Sequence, residues 1–131
     1  MTQYEKYARE YSDCRRRMND PTGSSFVTGL CGDEMEFYLY IRNRTIEEAV
    51  YETNGCDVTQ ACGAWVAQAV TGRNVEDALA VSPKQVLDAL PDIPVPHRHC
   101  PILAVTAFFQ AVADFMQIGR ASCRERVYTK V

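Results

Sequence analysis

The sequence contains no Cys-x-x-Cys pair, no excess of basic residues and no segment with the features of a secretory leader. The formal net charge of -3 gives no electrostatic reason to expect a nucleic-acid partner. The apolar stretch from Ile102 to Val112 is shorter than a bilayer-spanning helix needs, and the first ten residues lack the apolar run of a signal peptide. We therefore expect a cytoplasmic protein that binds neither nucleic acid nor membrane.

The 131 residues have the composition of one globular domain. Apolar residues make up 47% and charged residues 24% of the chain, which suits a single buried core. Residues 118–131 break abruptly from the apolar pattern before them and resemble a sequencing-library adapter translated in one frame; a genuine basic tail is the alternative. We predict a domain over residues 1–117 and a non-native tail over 118–131, and Cys123 is excluded from the functional argument.

Hydrophobic periodicity predicts a helix, then strands, then helices along the chain. The predicted elements are a helix over 2–18, an edge strand around 26–27, strands over 34–42 and 45–53, and helices over 57–71 and 74–79, from 82 and from 101. Strands and helices that are segregated along a chain are typical of the α+β class. We expect a small antiparallel sheet of about three strands with helices packed on one face.

Several element ends carry local signals. Ile46 is out of phase with the rest of its strand and indicates a bulge. Asp57 and Gln60 have the spacing of a capping box, and the prolines of residues 91–96 predict an extended loop. The run Arg15–Arg17 is interpreted as a solvated helix end that suits the helix dipole, with docking of an acidic partner as the alternative.

Three cysteines lie at predicted element ends, beside other potential ligands. Cys31 is two residues before Asp33, Cys56 follows a glycine, and Cys100 follows His99. Thiolates are soft ligands for iron, zinc and copper(I), and cysteines of a reducing compartment are more often ligands or catalysts than disulfides. The positive ends of the helices that follow Cys56 and Cys100 favour thiolates. The leading hypothesis is an exposed metal or cluster site.

These motifs resemble a known family. Cys31-Gly32-Asp33, Asn54-Gly55-Cys56 and His99-Cys100 with Ile102-Leu103-Ala104 are similar to the iron–sulfur cluster assembly scaffolds of the IscU and NifU N-terminal type. The segment from Gly72 to Leu79 also resembles that family, and the similarity covers about Asp20 to Phe115. Any one dipeptide is a weak signal, whereas three cysteine contexts in order are a strong one.

The resemblance implies a scaffold and carrier protein rather than an enzyme. Cys31, Cys56 and Cys100 would hold a nascent [2Fe–2S] cluster, with Asp33 and His99 as further ligands. Sulfur would come from a cysteine desulfurase, and the cluster would pass to acceptor apoproteins. The sequence does not settle which thiol receives the sulfur; we expect Cys100, because a helix cap and two nearby histidines favour its thiolate. Zn²⁺ suits the same donors and is the expected substitute for the cluster.

The sequence departs from the family at three positions. His97 stands where the family has the lysine of a Leu-Pro-Pro-Val-Lys segment that a specialised heat-shock chaperone reads, so recognition by that chaperone is not expected. Asp57 stands where glycine is common. Cys62 stands in a stretch that is usually rich in serine, where it either packs in the core or takes part in the site. His97 is either solvent-exposed or an alternate or supporting ligand.

Two other functions use the same residues. In a structural zinc protein the ligands would be closed and buried, although the absence of a Cys-x-x-Cys pair argues against it. In a thiol enzyme Cys100 would be the nucleophile, His99 or His97 the base and Asp33 the orienting acid. That enzyme would leave Cys31 and Cys56 without a role. Asp33 could instead only begin a strand, and His99 could only cap the backbone.

Overall fold

The computed structural model describes residues 1–30 and 32–122 of the chain. Its helices and strands are α1 Gln3–Glu10, β1 Gly23–Thr28, β2 Glu34–Arg42, β3 Thr45–Thr53, α2 Asp57–Val70, α3 Val75–Ala78, α4 Pro83–Ala89 and α5 His99–Ser122, with 3₁₀ turns at Ser12–Cys14 and Val95–His97. The strands form an antiparallel sheet in the order β1-β2-β3. This architecture confirms the predicted α+β class, with the helix α1 first and a helical C-terminal half.

The hairpin between β2 and β3 follows the sequence signals closely. Asn43 and Arg44 form its turn with φ of 54° and 59°, the left-handed conformation that matches the twist of a two-residue hairpin. Tyr40 pairs with Glu48 whereas Ile41 pairs with Ile46, so Glu47 is an extra residue and the predicted bulge is confirmed.

One face of the sheet is buried beneath α2 and α5. Alternate residues of β2 are buried, and Phe37 meets Phe108 of α5 edge to face with ring centroids 5.9 Å apart. The apolar segment is longer than the stretch from Ile102 to Val112 that the sequence pattern indicates. By length and composition alone, Val95–Gln117 is long and apolar enough to cross a bilayer. Half of its most apolar window is buried inside the domain, as in the core helix of a soluble protein.

The N-terminal segment differs from the prediction of one helix over residues 2–18. Helix α1 ends at Glu10, and the Arg16 amide donates a hydrogen bond of 2.7 Å to the Tyr51 carbonyl at the edge of β3. The arginines form ion pairs with carboxylates of β2 and β3, namely Arg15 with Glu52, Arg16 with Glu48 and Arg17 with Glu36. Their interpretation as a helix end is wrong, because the segment lies along an unpaired strand edge whose outward side chains are acidic.

Three element ends need correction or completion. Cys56, not Asp57, is the N-cap of α2, and the Gln60 side chain donates to the Gly55 carbonyl at 3.2 Å. The segment before α5 forms a 3₁₀ turn rather than a fully extended loop, and α5 begins at His99, so Cys100 lies within its first turn. Helix α5 continues through residues 118–122 of the predicted tail, and residues 123–131, with Cys123, lie outside the described chain. The origin of that tail stays a prediction.

Candidate metal centre

Three chain segments meet at one end of the sheet. Strand β2 begins where β3 ends, with Met35 paired to Thr53, so the loop before β2 and the turn after β3 are neighbours. The Glu34 amide donates to the Asn54 side chain at 2.8 Å and ties the two segments together. Asp33 comes from the first segment and Cys56 from the second, and the start of α5 brings His99 and Cys100 close to Asp33.

The start of α5 completes a group of potential ligands. The donor atoms of Asp33, His99 and Cys100 all lie within 4.8 Å of one another, a spacing that suits one shared metal ion. His99 Nε2 is 3.8 Å from Cys100 Sγ. Carboxylate, imidazole and thiol therefore converge although they are separated by up to 67 positions in the sequence.

Cys56 lies on the other side of this group. Its Sγ is 4.0 Å from His97 Nδ1 and 3.9 Å from Thr59 Oγ1. The His97 and His99 rings stack with centroids 6.4 Å apart and an interplanar angle of 25°. His97 thus lies between the Cys56 thiol and the imidazole of His99, and its role as an alternate or supporting ligand stays a prediction.

Thr59 is a site residue that the sequence analysis missed. It is fully buried, its hydroxyl donates to Asp33 Oδ2 at 2.9 Å, and the same oxygen is 3.4 Å from Cys100 Sγ. The available signal was its position one helical turn after Cys56, which places both side chains on one face of α2.

Glycine is required at position 55 because Thr59 lies beneath it. A Cβ atom on Gly55 would approach Thr59 atoms to 2.6 Å, well inside van der Waals contact. Thr53 fixes the same turn from the strand side: its hydroxyl donates to the Glu34 carbonyl and accepts from the Gly55 amide at 3.0 Å. The turn that presents Cys56 is therefore held by two buried threonines.

Exposure changes across the site. Cys56 is exposed, Asp33, His97 and His99 are half-buried, and Cys100 has no exposed surface. The site therefore has an accessible rim, formed by Cys56, above a buried base, formed by Cys100. It differs from the closed ligand set expected for a structural zinc site.

Two further cysteines lie in the core. Burial raises the pKa of the Cys62 thiol well above its ordinary value, and the nearby Cys100 and Cys56 sulfurs raise it further. Burial also raises the pKa of Cys14, although the Gln68 side chain donates to its sulfur at 2.8 Å. The structure places the Cys62 side chain in the core. Cys31, the remaining predicted ligand, lies outside the described residues.

An apolar groove begins at the rim of the site. It is lined by residues of β1, of the β1–β2 loop and of α5, including Val27, Leu30, His99, Ile102 and Leu103. Leu30 is 95% exposed and Ile102 is 54% exposed. Large apolar side chains exposed together beside a ligand group are typical of an interaction surface.

The fold and the site define a class of protein: a small α+β domain that presents sulfur, nitrogen and oxygen donors at one end of its sheet. Residues 11–122 match the family described as the NifU-like N terminal domain. Because this match covers most of the chain, the protein belongs to the NifU-like N-terminal domain family.

The chain is also similar to proteins that are named as iron-sulfur cluster assembly scaffolds. The iron-sulfur cluster assembly scaffold protein IscU 1 of Archaeoglobus fulgidus is 30% identical over 88 residues, which cover 67% of this chain and 58% of that protein. The chain therefore spans somewhat more than half the length of this archaeal relative. The scaffold protein IscU of Haemophilus influenzae is 32% identical over 102 residues, which cover 73% of this chain and 80% of that protein.

A solved structure supports the fold independently. The N-terminal part of a nitrogen-fixing NifU-like protein from Brucella abortus superposes with a TM-score of 0.68 at 16% identity, covering 87% of this chain and 92% of that one. At this identity the likeness concerns the fold alone.

Proposed function

We propose that the protein is a scaffold on which a nascent [2Fe–2S] cluster is assembled and from which it is passed to acceptor apoproteins. The observation that carries the proposal is the convergence of Asp33, Cys56, His99 and Cys100 at an accessible edge of a NifU-like domain. The relatives are named as assembly scaffolds, which supports a carrier role rather than an enzyme.

The ligands have separate roles in this proposal. The thiolates of Cys56 and Cys100, and of Cys31 as a prediction from sequence, bind the iron. Asp33 and His99 supply an oxygen and a nitrogen donor beside Cys100. An oxygen donor among thiolates makes a weaker bond to iron than sulfur does, which suits a site that must give up its cargo.

Sulfur delivery follows from ordinary persulfide chemistry. A thiolate of the scaffold attacks the outer sulfur of a desulfurase persulfide, the sulfur–sulfur bond breaks, and the desulfurase keeps its own sulfur as a thiolate. Conversion of each transferred sulfur to sulfide then takes two electrons from a separate reductant. Complete burial of Cys100 counts against its being the first acceptor, and the exposed Cys56 is better placed.

The partners are a cysteine desulfurase and acceptor apoproteins. Exposed Leu30 and Ile102 beside the ligands support docking of a protein over the rim. The loss of the family's lysine at His97 argues against recognition by the specialised chaperone. We propose a cytoplasmic location, since the free thiols of Cys14, Cys56 and Cys62 suit a reducing compartment.

Zinc binding is the second candidate function. It is favoured by the spacing of the Asp33, His99 and Cys100 donors, which a single tetrahedral ion can satisfy with one further thiolate. A thiol enzyme is less well supported because its nucleophile, Cys100, has no exposed surface for a substrate to reach.

Anaerobic reconstitution with iron, cysteine and a desulfurase tests the scaffold proposal. We expect the visible absorption of a cluster in the unchanged protein and its loss or marked reduction in Cys31→Ser, Cys56→Ser and Cys100→Ser. Cys14→Ser is the matched control, because Cys14 is buried against Gln68 and a serine oxygen can accept the same hydrogen bond. An unaltered spectrum in all three ligand variants would rule out the scaffold function.

A further inference from the structure

The Thr59 hydroxyl connects the only oxygen donor among the described candidate ligands to a buried sulfur. It donates to Asp33 Oδ2 at 2.9 Å and lies 3.4 Å from Cys100 Sγ. A hydroxyl has one proton to donate and two lone pairs to accept with. Its single proton is directed to Asp33, so its lone pairs face the sulfur.

The two bonded groups differ in how firmly their backbone is held. Asp33 is in the loop between β1 and β2, whereas Thr59 is in the first turn of the 14-residue helix α2 and is fully buried. Packing fixes the rotamer of such a side chain more firmly than a loop fixes a half-buried carboxylate. The orientation of the Asp33 carboxylate is therefore set from the helix.

We propose that Thr59 is the positioning residue that holds the Asp33 carboxylate beside Cys100, so that Asp33 enters the metal site through its other oxygen. Hydrogen-bonded carboxylate ligands are oriented in this way at many metal sites. The proposal deepens the scaffold function and rests on it, because it takes Asp33 to be a ligand.

Thr59→Val tests the proposal, since valine keeps the shape of threonine and removes only the hydroxyl. We expect the Zn²⁺ dissociation constant of the full chain to rise about tenfold, as is typical when a partner of a ligand is lost. Asp33→Ala should raise it to a similar extent. The double variant should be within about threefold of Asp33→Ala alone, because the hydroxyl acts through the carboxylate.

A Co²⁺ spectrum gives a readout that a purely structural role would not move. The d–d bands report the donor set of the bound ion. We expect the Thr59→Val spectrum to match that of Asp33→Ala, and the Thr59→Ser spectrum to match the unchanged protein, because serine keeps the hydroxyl. If Thr59→Val does not fold, Thr59→Ala removes the same hydroxyl and carries the test.

Thr22→Val is the matched control. The Thr22 hydroxyl donates to the Leu39 carbonyl at 3.1 Å and accepts from the Ile41 amide at 2.8 Å, at the other end of β1. Its loss should leave the Zn²⁺ affinity and the Co²⁺ bands unchanged. An equal loss of affinity in Thr22→Val would overturn the inference, since the effect would then be one of general stability.

The inference and the function it rests on fail in different ways. If Thr59→Val binds Zn²⁺ as the unchanged protein does, or more tightly, while Asp33→Ala is about tenfold weaker, the positioning role is refuted and the scaffold function stands. If the unchanged protein binds neither metal nor cluster, or if Cys56→Ser and Cys100→Ser bind both normally, the scaffold function itself is refuted.

Discussion

At the scale of single residues, the site combines soft donors with one hard donor. Cys56 and Cys100 offer sulfur, and Asp33 offers oxygen held by a buried hydroxyl. The same residues also differ in access, since Cys56 is exposed and Cys100 is not. In a cluster bound here the half-buried Asp33 would be the most weakly bonded ligand, and an acceptor thiolate could replace it.

Asp33→Ala should slow the release of an assembled cluster to an apo-ferredoxin. Without the carboxylate its position passes to another nitrogen or sulfur donor, for which His97, the proposed alternate ligand beside Cys56, is a described candidate, and that bond is harder to displace. Zinc affinity and release respond differently, because affinity depends on all ligand bonds whereas release depends on the bond that breaks first. The transfer rate can be followed by the absorption of the acceptor.

Asp57→Ala is the control for the loss of one negative charge beside the site. Asp57 is exposed and directly follows Cys56. The Asp57→Ala variant should transfer its cluster at the rate of the unchanged protein. Unaltered or faster transfer from Asp33→Ala would remove Asp33 from the release mechanism.

At the scale of elements, the position of α2 on β3 determines where Cys56 and Thr59 lie. Gly63 allows this close approach: a Cβ atom there would come within 2.7 Å of the Tyr51 ring. Tyr51 is fully buried, and its hydroxyl donates to the Gln60 carbonyl of α2 at 2.8 Å. The helix is therefore packed against an aromatic ring and hydrogen-bonded to it, one turn from the ligands.

Gly63→Ala should destabilise the domain by about 1–3 kcal/mol, the usual cost of an overpacked core. At an exposed helical position the same substitution stabilises by roughly 0.5–1 kcal/mol. The sign of the change in the free energy of unfolding therefore shows whether Gly63 is in tight contact with Tyr51. Denaturant unfolding measures the change. An increase in stability would show that α2 shifts away from Tyr51 without cost.

At the scale of the whole molecule, the ligands and the exposed apolar residues share one end of the sheet. Leu30 and Ile102 flank the groove that His99 also lines, whereas α3 lies at the opposite end, where β3 begins. A partner that docks on the groove would contact His99, one of the candidate ligands. The described chain thus has the candidate ligands and the groove at one end of the sheet and α3 at the other.

Leu30→Asp and Ile102→Asp should each weaken binding to a cysteine desulfurase by about tenfold or more, as loss of an apolar anchor does at many interfaces. Both side chains are more than half exposed, so the substitutions should leave the fold intact. Calorimetric titration measures the affinity.

Leu79→Asp is the matched control because Leu79 is 38% exposed and ends α3, far from the ligands. It should bind the desulfurase as the unchanged protein does. Equal weakening by all three variants, or by none, would contradict docking over the groove.

Most of the fold could be predicted from the sequence because its signals are local. Alternation in residues 34–42 and 45–53 reports the period of a strand, and both strands have the predicted bounds. The predicted helix starts at residues 74 and 82 also coincide with the caps Asn74 and Ser82, since a cap is a contact between residues at most three positions apart. The cysteine contexts indicated the family in the same local way.

What the tertiary structure alone decided involves contacts between distant residues. The residues of the Arg15–Arg17 run pair with carboxylates that lie 19 to 37 positions away in the sequence. A local periodic pattern cannot identify such distant partners. The contacts of Thr59 and the burial of Cys100 depend in the same way on the register of β2 with β3 and on the packing of α5. Sequence determined which donor atoms are present, because chemistry belongs to the residue. Folding decided which of them meet and which face solvent, because distance and exposure belong to the packed chain.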